Sequence, residues 1–154
     1  MDNQSLIRKA TAEDISRIAE ILVFVKRMNY RRIFLNDEFS FNELQVIKVA
    51  DEYLEKGKLK FIYLYDDGIV KGLIHIERNE IVELYVDHFF EDQGIGSALM
   101  DFAKTFFPVN YLWTLEKNSE AIRFYEKNGF HLTDNRKLET GTVEYLVMMK
   151  RDTD

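Results

Sequence analysis

The chain has 154 residues, 46% hydrophobic and 31% charged, with a formal net charge of -6 and no cysteine. That length suits a single domain over residues 1–154, with a core that buries roughly two-thirds of the surface the unfolded chain would expose. The acidic balance argues against a nucleic-acid backbone as the main partner, and the missing thiols exclude disulfides, cysteine-based zinc sites and a cysteine nucleophile.

No apolar run reaches the roughly 20 residues that span a bilayer, and the opening MDNQSLIRKA lacks the apolar centre of a signal peptide. A cytoplasmic protein with no membrane partner is expected. The single proline, Pro108, and the absence of repeats or Gly/Ser-rich linkers leave no domain boundary.

Residues 5–9 read as a short first strand. Thr11, with Asp14 three residues later, opens a helix through about Met28, whose apolar stripe is Ile15, Ile18, Ala19, Leu22 and Val25 or Lys26. After a loop over 30–41, Ser40 and Glu43 form a second capping signature, for a helix through Leu44, Ile47, Val49 and Ala50 towards Leu54. Residues 60–65 and 69–78, rich in β-branched and aromatic side chains, flank the tight turn Asp66-Asp67-Gly68. A turn over 78–80 leads to a strand over 81–87, then a helix over 94–107 that Pro108 stops. Residues 111–115 form a strand, Asn118 caps a helix ending near Gly129, and 130–138 and 142–150 close the chain as an antiparallel pair. The order is βααβββαβαββ, an α/β (α+β) domain.

The chemistry concentrates in ELYVDHFFEDQGIGSALM, residues 83–100: a strand, a loop with two glycines, and a helix. Without side chains at Gly94 and Gly96, backbone N–H groups at a helix start can close on an anion that the positive helix end favours. The same glycines also serve a plain sharp turn. Leu99 stands where a dinucleotide-binding loop needs its third glycine, and no Gly-x-x-x-x-Gly-Lys-Ser/Thr loop occurs, so the Rossmann and P-loop readings fall away.

Together with NSEAIRFYEKNGF, residues 118–130, this stretch resembles the GNAT superfamily of N-acetyltransferases. That family's phosphate loop reads Arg/Gln-x-x-Gly-x-Gly/Ala, and its later segment Asn-x-x-Ala-x-x-Phe-Tyr-x-x-x-Gly-Phe. The resemblance covers about residues 59–130. It implies a mixed, mainly antiparallel sheet flanked by helices, in which the strand over 81–86 splays from the strand over 111–115 to admit acetyl-CoA as co-substrate. It also implies that the backbone of Leu84, Tyr85 and Val86 pairs with the pantetheine arm and orients the thioester, and that the loop Glu91, Asp92, Gln93, Gly94, Ile95, Gly96 and Ser97 cradles the pyrophosphate. Glu91 departs from the family's Arg or Gln, and Asp92 follows it, so main-chain donors are expected to do the binding while both carboxylates turn to solvent.

Asn118 resembles the position that touches the pantetheine arm and is equally a helix cap. Tyr125 resembles the general acid that protonates the departing thiolate, against a plain packing role beside Phe124. For the base that must deprotonate the amine, Glu80 is the first candidate and Glu83 the second. A solvated turn glutamate with an ordered water as base is the competing reading. Regular alternation sets Glu80, Val82, Leu84 and Val86 on one strand face and Glu83, Tyr85 and Asp87 on the other. Trp113 is left to pack against substrate. His75, His88 and His131 share no spacing with a purpose, each being structural or solvated, and no metal site is expected. The resemblance implies direct transfer of acetyl to a primary amine of a small molecule or peptide, by a monomer or homodimer. Its rivals are a non-catalytic acyl-CoA sensor of the same fold and a nucleotide-binding protein using the same glycine loop.

Overall fold

The computed structural model describes residues 3–34, 50, 52 and 57–152. Strands β1 (Ile7–Lys9), β2 (Ile62–Asp66), β3 (Val70–Glu77), β4 (Glu80–Val86), β5 (Tyr111–Leu115), β6 (Phe130–Leu138) and β7 (Tyr145–Arg151) form one sheet in the order β1-β2-β3-β4-β5-β7-β6. Every neighbouring pair is antiparallel except β4 and β5.

Helix α1 (Ile15–Phe34) packs on one face, where Ile18, Ile21 and Leu22 meet Ile62, Leu64 and Leu73. Helix α2 (Ile95–Phe106) covers the other face, with Leu99, Met100 and Ala103 buried against Ile74, Ile76, Ile81 and Leu112. Helix α3 (Ser119–Lys127) lies on that second face too, through Ile122, Phe124 and Tyr125.

The Thr11–Asp14 capping box forms as expected, but it opens a 3₁₀ turn over Ala12–Asp14 that runs into α1. Asp14 is also clamped by Arg8, at 2.8 Å from each carboxylate oxygen, which holds its carboxyl down at about 2. Helix α1 runs six residues past Met28, so the first part of the expected loop over 30–41 is helical. The chain has neither glycine nor proline there to stop it. The second expected helix lies outside the described residues apart from Ala50 and Glu52, both helical. Lys58–Phe61 is a 3₁₀ turn, so β2 starts two residues later than expected.

One irregularity reorders the central strands. Glu80 pairs with Glu77, Ile81 with Ile76 and Glu83 with His75, leaving Val82 as an extra residue in β4. The bulge places Glu80, Glu83 and Tyr85 on the α1 face and Ile81, Leu84 and Val86 on the α2 face. This corrects the regular alternation, which separates the two glutamates.

Gly72 of β3 shows how closely α2 sits. A Cβ there would lie 3.0 Å from the Tyr85 carbonyl oxygen, 3.1 Å from Ile95 Cγ2 and 3.2 Å from Leu99 Cδ1. Overpacking of this kind costs about 1–3 kcal/mol, more than the fraction of a kilocalorie that alanine recovers in chain entropy. Gly72→Ala is therefore expected to lower the urea midpoint, and an unchanged midpoint would mean that α2 gives way freely.

Candidate functional site

Strands β4 and β5 are paired only at Glu80–Tyr111 and Ile81–Leu112. Beyond that rung they part. The gap opens into a cleft of about 950 Å³, walled by Val82 to Val86 on one side and by Trp113, Thr114 and Leu115 on the other. Since β3 bonds the far edge of β4, alternate N–H and C=O groups of β4 are directed at the gap.

The loop that follows β4 is held from below. The Asp87 amide donates to the Lys71 carbonyl at 2.8 Å, and the Asp87 carboxylate accepts from the Phe89 amide at 3.0 Å and from Arg17 at 2.5 Å. Arg17 in turn donates to the Val70 carbonyl at 2.8 Å, so α1, β3 and the loop are locked at one point. Two left-handed residues, Asp92 at φ 63° and Gly94 at φ 81°, then swing the chain into α2. Gly94 is its N-cap, with no side-chain cap and no acidic residue in the first turn. The N–H groups of that turn lack helical partners, and Gly94, Ile95, Gly96 and Ser97 all line the cleft.

Glu91 and Asp92 also border the cleft, at its exposed rim. The Glu91 carboxylate is 53% exposed and lies 3.6 Å from His88 Nδ1. Gln93 is exposed and is not among the lining residues. On the opposite wall, Asn118 Oδ1 caps α3 by accepting from the Ala121 amide at 3.2 Å, while the residue also faces the cleft. Tyr125 lies between Phe124 and Phe130, with ring centroids 5.4 and 6.2 Å away, and it also lines the cleft. Burial pushes its hydroxyl up to about 12, so it is a proton-bearing donor at neutral pH.

At the closed end, Glu80 accepts from the Tyr111 hydroxyl at 3.3 Å. Burial raises its carboxyl above the usual range, against the opposing pull of Tyr111 and Lys137. Glu83, on the same face through the bulge, pairs with Lys26 of α1 at 3.3 Å. Both glutamates line the cleft.

Sequence reasoning missed three features. Arg123 and Lys127 of α3 also line the cleft, four residues apart on one helix face, a spacing that could have flagged them. Lys137 reaches across from β6 to lie 4.2 Å from the centre of the Trp113 ring. His75, opposite Glu83, is 2% exposed, and neither ring nitrogen makes a hydrogen bond. Its Nε2 lies 3.1 Å from Glu77 Oε2 but outside hydrogen-bonding geometry, and burial lowers its basicity although Glu83 and Glu77 oppose that. Among the described residues, no group of three or more His, Asp or Glu could hold a metal ion, and no helix is long and apolar enough to cross a membrane.

A family model described as an acetyltransferase (GNAT) domain matches residues 24–151. The peptidyl-lysine N-acetyltransferase YiaC of Escherichia coli is 25% identical over 130 residues, covering 84% of this chain and 85% of that protein. The probable N-acetyltransferase Rv2775 of Mycobacterium tuberculosis is 30% identical over 138 residues, 82% of this chain and 79% of the relative. Among solved structures, the PaiA N-acetyltransferase of Thermoplasma acidophilum in complex with coenzyme A has the same fold, with a TM-score of 0.68 at 22% identity, covering 95% of this chain and 98% of that one.

Proposed function

The chain belongs to the GNAT acetyltransferase family, and from that premise we propose that it moves an acetyl group from acetyl-CoA directly to a primary amine bound in the same cleft. The observation that carries this reading is the parting of β4 from β5 one rung beyond Glu80, with the bare N-terminus of α2 at the open end of the gap. Acetyl-CoA supplies the acetyl group as an activated thioester.

The open edge of β4 at Leu84, Tyr85 and Val86 offers the pantetheine arm a strand to pair with. An N–H there donates to the thioester oxygen, more strongly as negative charge builds on it. The first turn of α2 holds the pyrophosphate through backbone N–H groups, and Arg123 and Lys127 add positive charge to the cleft that Glu91 and Asp92 also line. Asn118 touches the arm while capping α3. Tyr125 donates to the departing sulfur.

An alkylamine, with pKa near 10.4, gives up its proton at pH 7 at a cost of about 4.6 kcal/mol. Glu80 accepts that proton: it lines the cleft at its closed end, one rung before the strands part, and burial has made it a stronger base than an ordinary glutamate. Glu83 is second because Lys26 already holds its carboxylate. With Glu80, Glu83 and Glu139 around the acceptor end, a cationic acceptor is favoured. YiaC is named for peptidyl-lysine, which makes a lysine side chain within a peptide the first acceptor to try, ahead of small-molecule amines.

Calorimetric titration with acetyl-CoA, CoA and ADP, followed by thiol release against lysine peptides, polyamines and amino acids, tests this. Saturable acetyl-CoA binding with amine-dependent release is expected. Binding without release would favour a sensor of the same fold, and no binding would overturn the proposal.

A further inference from the structure

Among the lysines bordering the cleft, Lys26 is tied to Glu83 at 3.3 Å, and Lys127 stands on α3. Lys137 differs. It pairs with Leu146, which pairs with Leu115, so its side chain shares the sheet face of Leu115 and Trp113. Its Nζ lies 4.2 Å from the Trp113 ring centre, and its charge acts against the effect of burial on Glu80. Trp113 follows Leu112, the last residue of β5 paired with β4, so its ring stands on the first rung of the open gap. An aromatic face beside a carboxylate is a site for an alkylammonium. In this chain a lysine of its own occupies it.

We propose that Lys137 is an internal acceptor, acetylated by its own cleft when no external amine is bound; this rests on the acetyl-transfer reading above. The Lys137 ammonium gives up a proton to Glu80 or water, and the freed nitrogen forms a C–N bond to the acetyl carbon. The C–S bond breaks while the Tyr125 hydroxyl donates a hydrogen bond to sulfur, the second proton of the reacting nitrogen passes to the sulfur, which leaves as CoA thiol, and the product is an uncharged Nε-acetyl-lysine. A tethered amine meets the thioester at an effective concentration that no dilute free amine matches. Neutralising Lys137 also removes the cation from the Trp113 face.

The full chain is incubated with acetyl-CoA and no acceptor, and acetylation is followed by intact mass and peptide mapping. Lys137 is expected to be modified at least about tenfold faster than the exposed Lys9 and Lys150, reflecting its effective concentration. The rate should not change with protein concentration, should fall in Tyr125→Phe in the same proportion as transfer to an external amine, and the mark should vanish in Lys137→Arg. Acetylation spread evenly over the lysines, or equally fast in Tyr125→Phe, is uncatalysed chemistry and overturns the proposal. A rate proportional to protein concentration overturns the internal route. If thiol release to an external amine proceeds while Lys137 stays unmodified, this inference falls and the transferase reading stands. If neither occurs, both fall.

Discussion

Tyr125→Phe is expected to lower kcat for amine acetylation by about 100-fold, the lower end of what positioned acid catalysis contributes, while acetyl-CoA should still bind. The low end follows from basicity. Burial pushes the Tyr125 hydroxyl up to about 12, well above a free thiol, so complete transfer from phenol to thiolate is uphill. On the proposed mechanism the hydroxyl therefore works chiefly as a hydrogen-bond donor to sulfur as the C–S bond stretches, and the proton follows from the reacting amine. Phe keeps the edge contacts with Phe124 and Phe130, so the thermal midpoint should hardly move. Steady-state kinetics with calorimetric binding separates the two effects. A variant within threefold of the parent in kcat would leave Tyr125 as a packing residue only.

Much of this arrangement is legible in the sequence, because the signals for it are local. Strand β5 and strand β6 fall on the expected residues, since alternation and flanking turns mark both ends. The parting of β4 and β5 follows from the resemblance to the family, and the register bears it out. What stayed hidden depends on partners distant in the chain. The extra residue at Val82 exists only relative to β3, and no pattern within residues 80–86 reveals it, yet it decides that Glu80 and Glu83 face the same way. The tether from Arg17 to Asp87 joins residues 70 positions apart. Lys137 reads as one charge on an exposed strand until β7, pairing with both β5 and β6, sets the two in one sheet. His75 reads as a polar strand residue, and only the assembled α1 face buries it.

Glu80→Gln separates the proposed base from a merely structural glutamate, because activity and stability should move independently. At pH 7 kcat/KM is expected to fall by about 10²–10³-fold, within the range for a positioned base. The deficit should shrink as pH climbs towards the amine's own pKa near 10.4, where solvent has already removed the proton. The parent should also lose activity on acidification sooner than an ordinary glutamate would predict, since burial raises the Glu80 carboxyl; the variant lacks that limb. Stability runs the other way. Below the unfolded-state pKa the carboxyl is neutral in both states and costs nothing, while above the raised folded-state pKa it is charged in both and the folded state carries the desolvation penalty. The parent's stability contribution from Glu80 therefore declines as pH rises through that window, and the glutamine, which can still accept from Tyr111, escapes the decline. Chemical denaturation at pH 4 and pH 7 should show the variant gaining on the parent at the higher pH. A variant that lost activity and stability in step at pH 7 would make Glu80 a fold residue and pass the role of base to Glu83 or a bound water.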